Sequence, residues 1–286
     1  MKAKLSQTTM IAILAITIAA VSTGMATQAI AESGTYDEVQ ILESETDLRE
    51  KHRDCMAENP LENQDDVDDV STNDPEDDSA FNPCHFTENI DNPYFPLSKY
   101  TGKTLRFAGT MNENGKTIQI VEEWQVLTQT VEIDEVFTVP VLVTEYEDGE
   151  IIEIATDFYA QGNNGVVYFF GEYSTDYENG QPVGHEGSWL VGDDTPMPGI
   201  MMPSNPGLGV GFSYMVEDVP GLVHEKSIVR NLHSPIKVKF GSYNDALSVR
   251  LYDFNDGNYG TNYFALKVGL IKSVSENTSI ELVSVS

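Results

Sequence analysis

Asp157 and Glu172 lie symmetrically about the dipeptide Asn164-Gly165, and this spacing gives two carboxylates the opportunity to share one face of a hairpin. Asn-Gly tolerates positive φ at both central turn positions, so a tight connection with residue 157 opposite residue 172 is expected. Paired carboxylates divide the roles of general acid and general base when their surroundings separate their pKa values. Opposed like charges are unfavourable without a cation or donor between them, and the competing expectation is a solvated strand end. The same register sets Tyr159 opposite Phe170, an aromatic pair two residues further in on that face. His185 completes this candidate acid–base or ion site.

Other reactive residue types carry weaker signals. Gly187-Ser188-Trp189 lacks the second half of a G-x-S-x-G elbow, so Ser188 reads as turn packing and not as a nucleophile. The histidines are His52, His85, His185, His224 and His233, and none shows the spacing of paired metal ligands. His185 with Met197, Met201 and Met202 offers imidazole and thioether, donors suited to copper, although methionine more often fills irregular apolar gaps. Asp65–Asp78, DDVDDVSTNDPEDD, is rich in hard oxygen donors but lacks the glycine turn and spacing of a calcium loop, which leaves diffuse cation association. Asn277-Thr278-Ser279 is a glycosylation sequon. No cofactor follows from any of these, and the metal question stays open.

The elements that must position these residues are strands. Runs rich in β-branched and aromatic residues at Leu105–Met111, Ile118–Ile133, Phe137–Tyr146, Ile151–Tyr159, Val166–Tyr173, Leu247–Phe254 and Tyr259–Lys267 alternate with turn dipeptides. Those dipeptides are Asn114-Gly115, Asp148-Gly149, Asn164-Gly165, Asn179-Gly180 and Asp256-Gly257. Period-2 alternation in Thr117–Ile120 and Lys237–Phe240 predicts one wet and one buried face. The expected fold is all-β and mainly antiparallel: a single curved sheet, half-barrel or barrel of about ten to twelve strands over residues 85–286.

Residues 184–212 interrupt the pattern with prolines and glycines that exclude a central strand. This loop carries Trp189, Met201 and Met202 and is expected to fold across an open end or face of the sheet. With Tyr159 and Phe170, these residues are expected to line a pocket for a small apolar or amphipathic ligand.

The segments Ile90-Asp91-Asn92-Pro93-Tyr94-Phe95-Pro96-Leu97, Asp157–Gln161, Tyr168–Glu172, Gly187–Trp189, Pro198–Pro203 and Val268–Lys272 resemble, collinearly over about residues 85 to 275, a family of uncharacterised secreted proteins and lipoproteins of bacteria and archaea. The resemblance implies export and no particular activity. Many of those relatives are lipoproteins, whereas this chain has no cysteine at the expected cleavage point, which argues against a lipid anchor.

The amino terminus points to export by itself. Lys2 and Lys4 precede an apolar run from Met10 to Val21, and Ala29-Ile30-Ala31 supplies small residues two apart, the layout of a secretory signal over residues 1–31. The apolar run is too short for a good membrane span, so no transmembrane segment is expected in the mature chain. Residues 32–84 form an acidic, partly disordered extension, with a helix expected over 38–57. Cys55 and Cys84 are the two cysteines, and in an exported chain an even pair predicts a disulfide worth roughly 3 kcal/mol.

Acidic side chains number 46 against 16 basic ones, a net charge of −30. Such a field disfavours nucleic acid and suits a solvated surface in a salty medium. The expected function is that of a secreted or envelope-associated, non-enzymatic binding protein. The alternatives are an exported enzyme using Asp157, Glu172 and His185, a structural surface protein, or a copper-binding protein. The oligomeric state is not legible in the sequence.

Overall fold

The structure, a computed structural model, describes residues 83–205 and 209–286. The predicted signal, the helix over 38–57, the acidic run and Cys55, and with Cys55 the expected pairing to Cys84, lie outside the described residues.

Sixteen strands occur among the described residues. They are β1 (Phe86–Thr87), β2 (Thr104–Glu113), β3 (Lys116–Val126), β4 (Val131–Ile133), β5 (Val136–Glu147), β6 (Glu150–Gly162), β7 (Val167–Glu178) and β8 (Gln181–Gly184). Then follow β9 (Trp189–Leu190), β10 (Gly199–Met202), β11 (Ser213–Val219), β12 (Val223–Val238), β13 (Gly241–Asp253), β14 (Tyr259–Ala265), β15 (Gly269–Val274) and β16 (Thr278–Val285). The helical elements described are two short 3-10 turns, Pro83–His85 and Leu97–Tyr100. No helix among the described residues is long and apolar enough to cross a membrane.

The strands pair antiparallel into one curved sheet in the order β10-β7-β6-β5-β3-β2-β16-β15-β14-β13-β12-β11, with the short β1, β4, β8 and β9 attached beside this path. Three of the five turn dipeptides, Asn114-Gly115, Asp148-Gly149 and Asn179-Gly180, adopt positive φ at both residues, as tight hairpin turns require. The expected Ile118–Ile133 strand breaks between β3 and β4. Lys239 and Phe240, expected to continue an alternating strand, form the β12–β13 turn instead, and Phe240 is exposed.

The sheet is not closed by a ladder, but its two ends meet. A Cβ placed on Gly199 of β10 would fall 1.6 Å from the carbonyl oxygen of Val216 on β11, so the absence of a side chain there is what permits the approach. In the loop region, β9 and β10 both pair with β7, and β10 forms an edge of the sheet, where a flap across an open end was expected.

The wrapped sheet has distinct inner and outer faces. Along β3, Ile118, Ile120, Glu122, Trp124 and Val126 are buried, while Gln119, Glu123 and Gln125 alternate outward. One end of the interior is plugged by the chain preceding β2. Ile90, Phe95, Leu97 and Tyr100 join the apolar core there, and Asn92 fastens the plug. Its backbone N–H donates to Gln161 Oε1 at 2.8 Å, and its Nδ2 donates to the carbonyls of Gly165 at 2.8 Å and Pro203 at 3.0 Å. Tyr100 Oη donates to the carbonyl of Val268 at 2.8 Å, which ties the plug to the β14–β15 turn.

Candidate functional site

Directly paired residues of an antiparallel ladder share a face, so register shows which side chains meet inside. Glu122, Glu145, Glu153 and Asp176 are paired in succession across β3, β5, β6 and β7. Four residues further along β6, toward the plugged end, Val141, Asp157, Glu172 and Trp189 form a second row across β5, β6, β7 and β9. Between the two rows stand Val143, Ala155 and Ser174, of which Ala155 and Ser174 fill little space. On the other arm of the sheet, Glu217, Glu225 and Asp253 form a third acidic row across β11, β12 and β13.

A hydrogen bond links the two arms. Trp189 Nε1 donates to Glu217 Oε1 at 2.6 Å across the seam where β10 and β11 approach. Gly171, held at φ +120°, allows this: a Cβ there would lie 2.2 Å from the carbonyl oxygen of Trp189. The other tryptophan repeats the arrangement, since Trp124 Nε1 donates to Glu122 Oε1 at 2.9 Å. In both glutamates the second oxygen, Oε2, is buried with no hydrogen-bond partner. Asp157 is held by Tyr159, whose hydroxyl donates to Oδ2 at 2.8 Å.

The interior acids repel one another: Asp157 and Glu153 act on Glu122, and Asp157 and Asp253 act on Glu217. Arg106, Lys226 and Arg250 alternate to the outer face; Arg106 pairs there with Glu123 and Arg250 lies 4.9 Å from the Tyr259 ring centroid. Burial, and secondarily mutual repulsion, therefore favours the protonated forms. Burial pushes the Glu122 carboxyl up to about 8 against the opposing effect of its Trp124 bond, with Asp157 and Glu153 adding repulsion. Burial raises Glu217 to about 8, opposed by Trp189 and reinforced by Asp157 and Asp253. Glu153 rises to about 8 through burial and then repulsion from Asp176 and Asp157, and Asp157 rises to about 7 through burial. Glu172 is driven well above the usual carboxylate range by burial, then by Glu217, Asp157, Glu153 and Glu225.

Asp157 and Glu172 are half-buried, each keeping part of its surface accessible in the second row. No three His, Cys, Asp or Glu side chains among the described residues converge closely enough to hold a metal ion.

The residues expected from sequence fall into two groups. Asp157 and Glu172 stand opposite each other as the hairpin spacing implied. Tyr159 stands opposite Phe169 and not Phe170, because a bulge between Phe158 and Tyr159 shifts the register by one; Phe170 packs edge-on against Phe86 at 5.3 Å. Trp189, Met201 and Met202 are buried in the core with Tyr159, while Met197 is exposed. His185 does not join the carboxylates. It is exposed, its Nδ1 lies 2.7 Å from the Ser174 carbonyl and 3.2 Å from Thr175 Oγ1, and its ring lies 5.1 Å from that of Tyr173. Tyr173 and Thr175 alternate away from Glu172, so the three expected acid–base residues do not share one cleft. Ser188 Oγ accepts from the Ser174 N–H at 2.9 Å and pins the loop to β7, a structural task. Asn277 is exposed in the β15–β16 turn. Sequence reasoning missed Glu122, Glu153, Glu217, Glu225 and Asp253.

No family model matches the chain, and no curated protein matches it. Two solved structures are similar in part. A Bacteroides fragilis protein with a YmcC-like fold has 10% identity, covers 68% of this chain and 99% of its own, and superposes with a TM-score of 0.39. A β-barrel-like protein of a domain of unknown function from Brucella abortus has 11% identity, covers 64% and 96%, and gives 0.33.

Proposed function

We propose that the protein is an exported, non-enzymatic binding protein that holds a small amphipathic ligand inside its wrapped sheet. The observation that carries this reading is the half-buried, opposed pair Asp157 and Glu172, set beside Tyr159 and Trp189 on one face of the sheet. Ligand sites are concave, largely apolar, and fixed by a few convergent polar groups. Tyr159, Phe169 and Trp189 supply a contiguous aromatic wall beside the carboxylates, with ring centroids 5.1 and 5.3 Å apart. The resemblance of residues 85–275 to secreted proteins and lipoproteins agrees with export, and its segments contain Asp157, Tyr159, Glu172 and Trp189.

Native mass spectrometry of full-length protein secreted by its host tests this. A co-purifying small molecule, released on denaturation, is the expected result. A ligand-free mass, together with no thermal shift from any amphipathic probe, would overturn it. The opposed pair Asp157–Glu172 also favours a second reading, an exported carboxylate-using hydrolase. Its test is hydrolysis of chromogenic ester and glycoside substrates that disappears in Asp157→Asn.

A further inference from the structure

Both tryptophans of the chain act on the interior carboxylates in the same way. Trp124 and Trp189 each fix one oxygen of a buried glutamate through the indole N–H, and each leaves the second oxygen without a protein partner. The two glutamates come from opposite arms of the sheet, Glu122 from β3 and Glu217 from β11, and Asp157 lies in electrostatic reach of both. A buried carboxylate oxygen with no partner costs free energy that a donor would recover. Twice over, the fold holds such an oxygen in place and supplies nothing to meet it.

The missing partner must donate hydrogen bonds and carry positive charge, because further acids crowd the same interior. Its shape follows from how these acids are distributed. They run in rows along neighbouring strands, about 4.8 Å apart from strand to strand, and do not converge on one point. A compact metal ion needs several oxygens at about 2.0–2.6 Å from one centre, and no three acidic or imidazole side chains among the described residues offer that. Charges strung along a flexible apolar chain fit the rows, and the apolar links fit Val143, Ala155 and Ser174, which separate them.

We propose that the ligand is a linear organic polyamine, a methylene chain bearing two or more ammonium groups, which donate to the unpartnered Oε2 atoms of Glu122 and Glu217. This rests on the reading of a ligand-holding interior and specifies the ligand's charge. Ammonium groups bind the ionised carboxylates, so loading near neutral pH expels the protons that burial otherwise keeps there.

Calorimetry of the full-length protein with spermidine, hexylamine, hexanol and calcium chloride, each in buffers of different ionisation enthalpy, tests the proposal. Spermidine is expected to bind more tightly than hexylamine, with proton release, and to weaken with added salt. Glu122→Gln and Glu217→Gln are each expected to weaken spermidine by about tenfold. Proton release in the unaltered protein carries the test if a variant fails to fold. Hexanol binding as tightly as hexylamine, with neither amine releasing protons, would overturn the polycation while leaving an apolar ligand in the interior. Calcium binding tighter than spermidine would overturn it in favour of a metal site. No binding by any of the four, with no co-purifying ligand, would remove both readings.

Discussion

Trp189 Nε1 donates to Glu217 Oε1 at 2.6 Å, and this bond spans the seam where the two ends of the sheet approach without a ladder between them. Trp189→Phe keeps an aromatic ring but deletes the donor, leaving Glu217 with neither oxygen bonded. A loss of about 2 kcal/mol in urea unfolding is expected, the usual cost of stranding a buried group that accepted a hydrogen bond. An unchanged midpoint would mean that the seam holds without this bond.

Gly199 meets the carbonyl of Val216 on the same seam, at a point where a methyl group would sit 1.6 Å from the oxygen. The obstruction is backbone on both sides, so it cannot be relieved by a rotamer change. Gly199→Ala is expected to separate β10 from β11 and cost about 2–4 kcal/mol. Limited proteolysis should then cut faster near residues 199–217. Equal cleavage rates in the two proteins would show the seam to be dispensable.

Asn92 fastens the plug through three hydrogen bonds to three separate segments. Asn92→Leu matches its size but offers the Gly165 and Pro203 carbonyls no donor. A destabilisation of about 2–3 kcal/mol is expected in thermal unfolding, since the buried Pro203 and partly buried Gly165 carbonyls and the Tyr94 N–H that donates to Asn92 Oδ1 lose their partner. A change within experimental error would mean that water satisfies both carbonyls.

The sheet was legible because its local signals agreed with its global pairing. Asn164-Gly165 specified the hairpin, and the Asp157–Glu172 opposition followed from counting. Phe170 slipped because a bulge adds one residue that no count anticipates, next to Gly171, where β9 approaches. Glu122 was within reach of sequence reasoning. In Ile118-Gln119-Ile120-Val121-Glu122-Glu123-Trp124 it falls on the apolar parity, a signal of a buried carboxylate. Glu217 was not within reach, because its relation to Trp189 and Asp157 exists only once the sheet has curled and brought its ends together. His185 was expected to join Asp157 and Glu172, but it lies against Tyr173 and Thr175, which alternate away from Glu172 along β7.

The interior acids make stability depend on pH in an unusual direction. Glu122, Glu153 and Glu217 titrate near 4.5 when unfolded and are raised to about 8 by burial in the fold. Between those values the native protein holds protons that the unfolded chain has released, so stability falls as pH rises. The contribution is fully present below about pH 4.5 and gone above about pH 8. Each such carboxyl contributes a slope of about 1.4 kcal/mol per pH unit within the window. Tm is therefore expected to drop from pH 5 to pH 8. A flat or rising profile would contradict neutral interior carboxyls.

Glu153→Gln isolates one term of that dependence. Glu153 lies between Glu145 and Asp176 in the first row and is raised by burial, then by Asp176 and Asp157. Glutamine keeps the size and one carbonyl oxygen but never ionises, so the variant lacks one proton difference between folded and unfolded states. Neighbouring carboxyls also lose a repelling charge and titrate at slightly lower pH. The plot of unfolding free energy against pH from 5 to 8 is therefore expected to be shallower by about 1.4 kcal/mol per unit. At pH 8 the variant should exceed the unaltered protein in stability, because folding no longer has to suppress or accommodate that charge. Parallel plots for the two proteins would show that Glu153 is ionised throughout, and that the first row meets its repulsion by a route other than protonation.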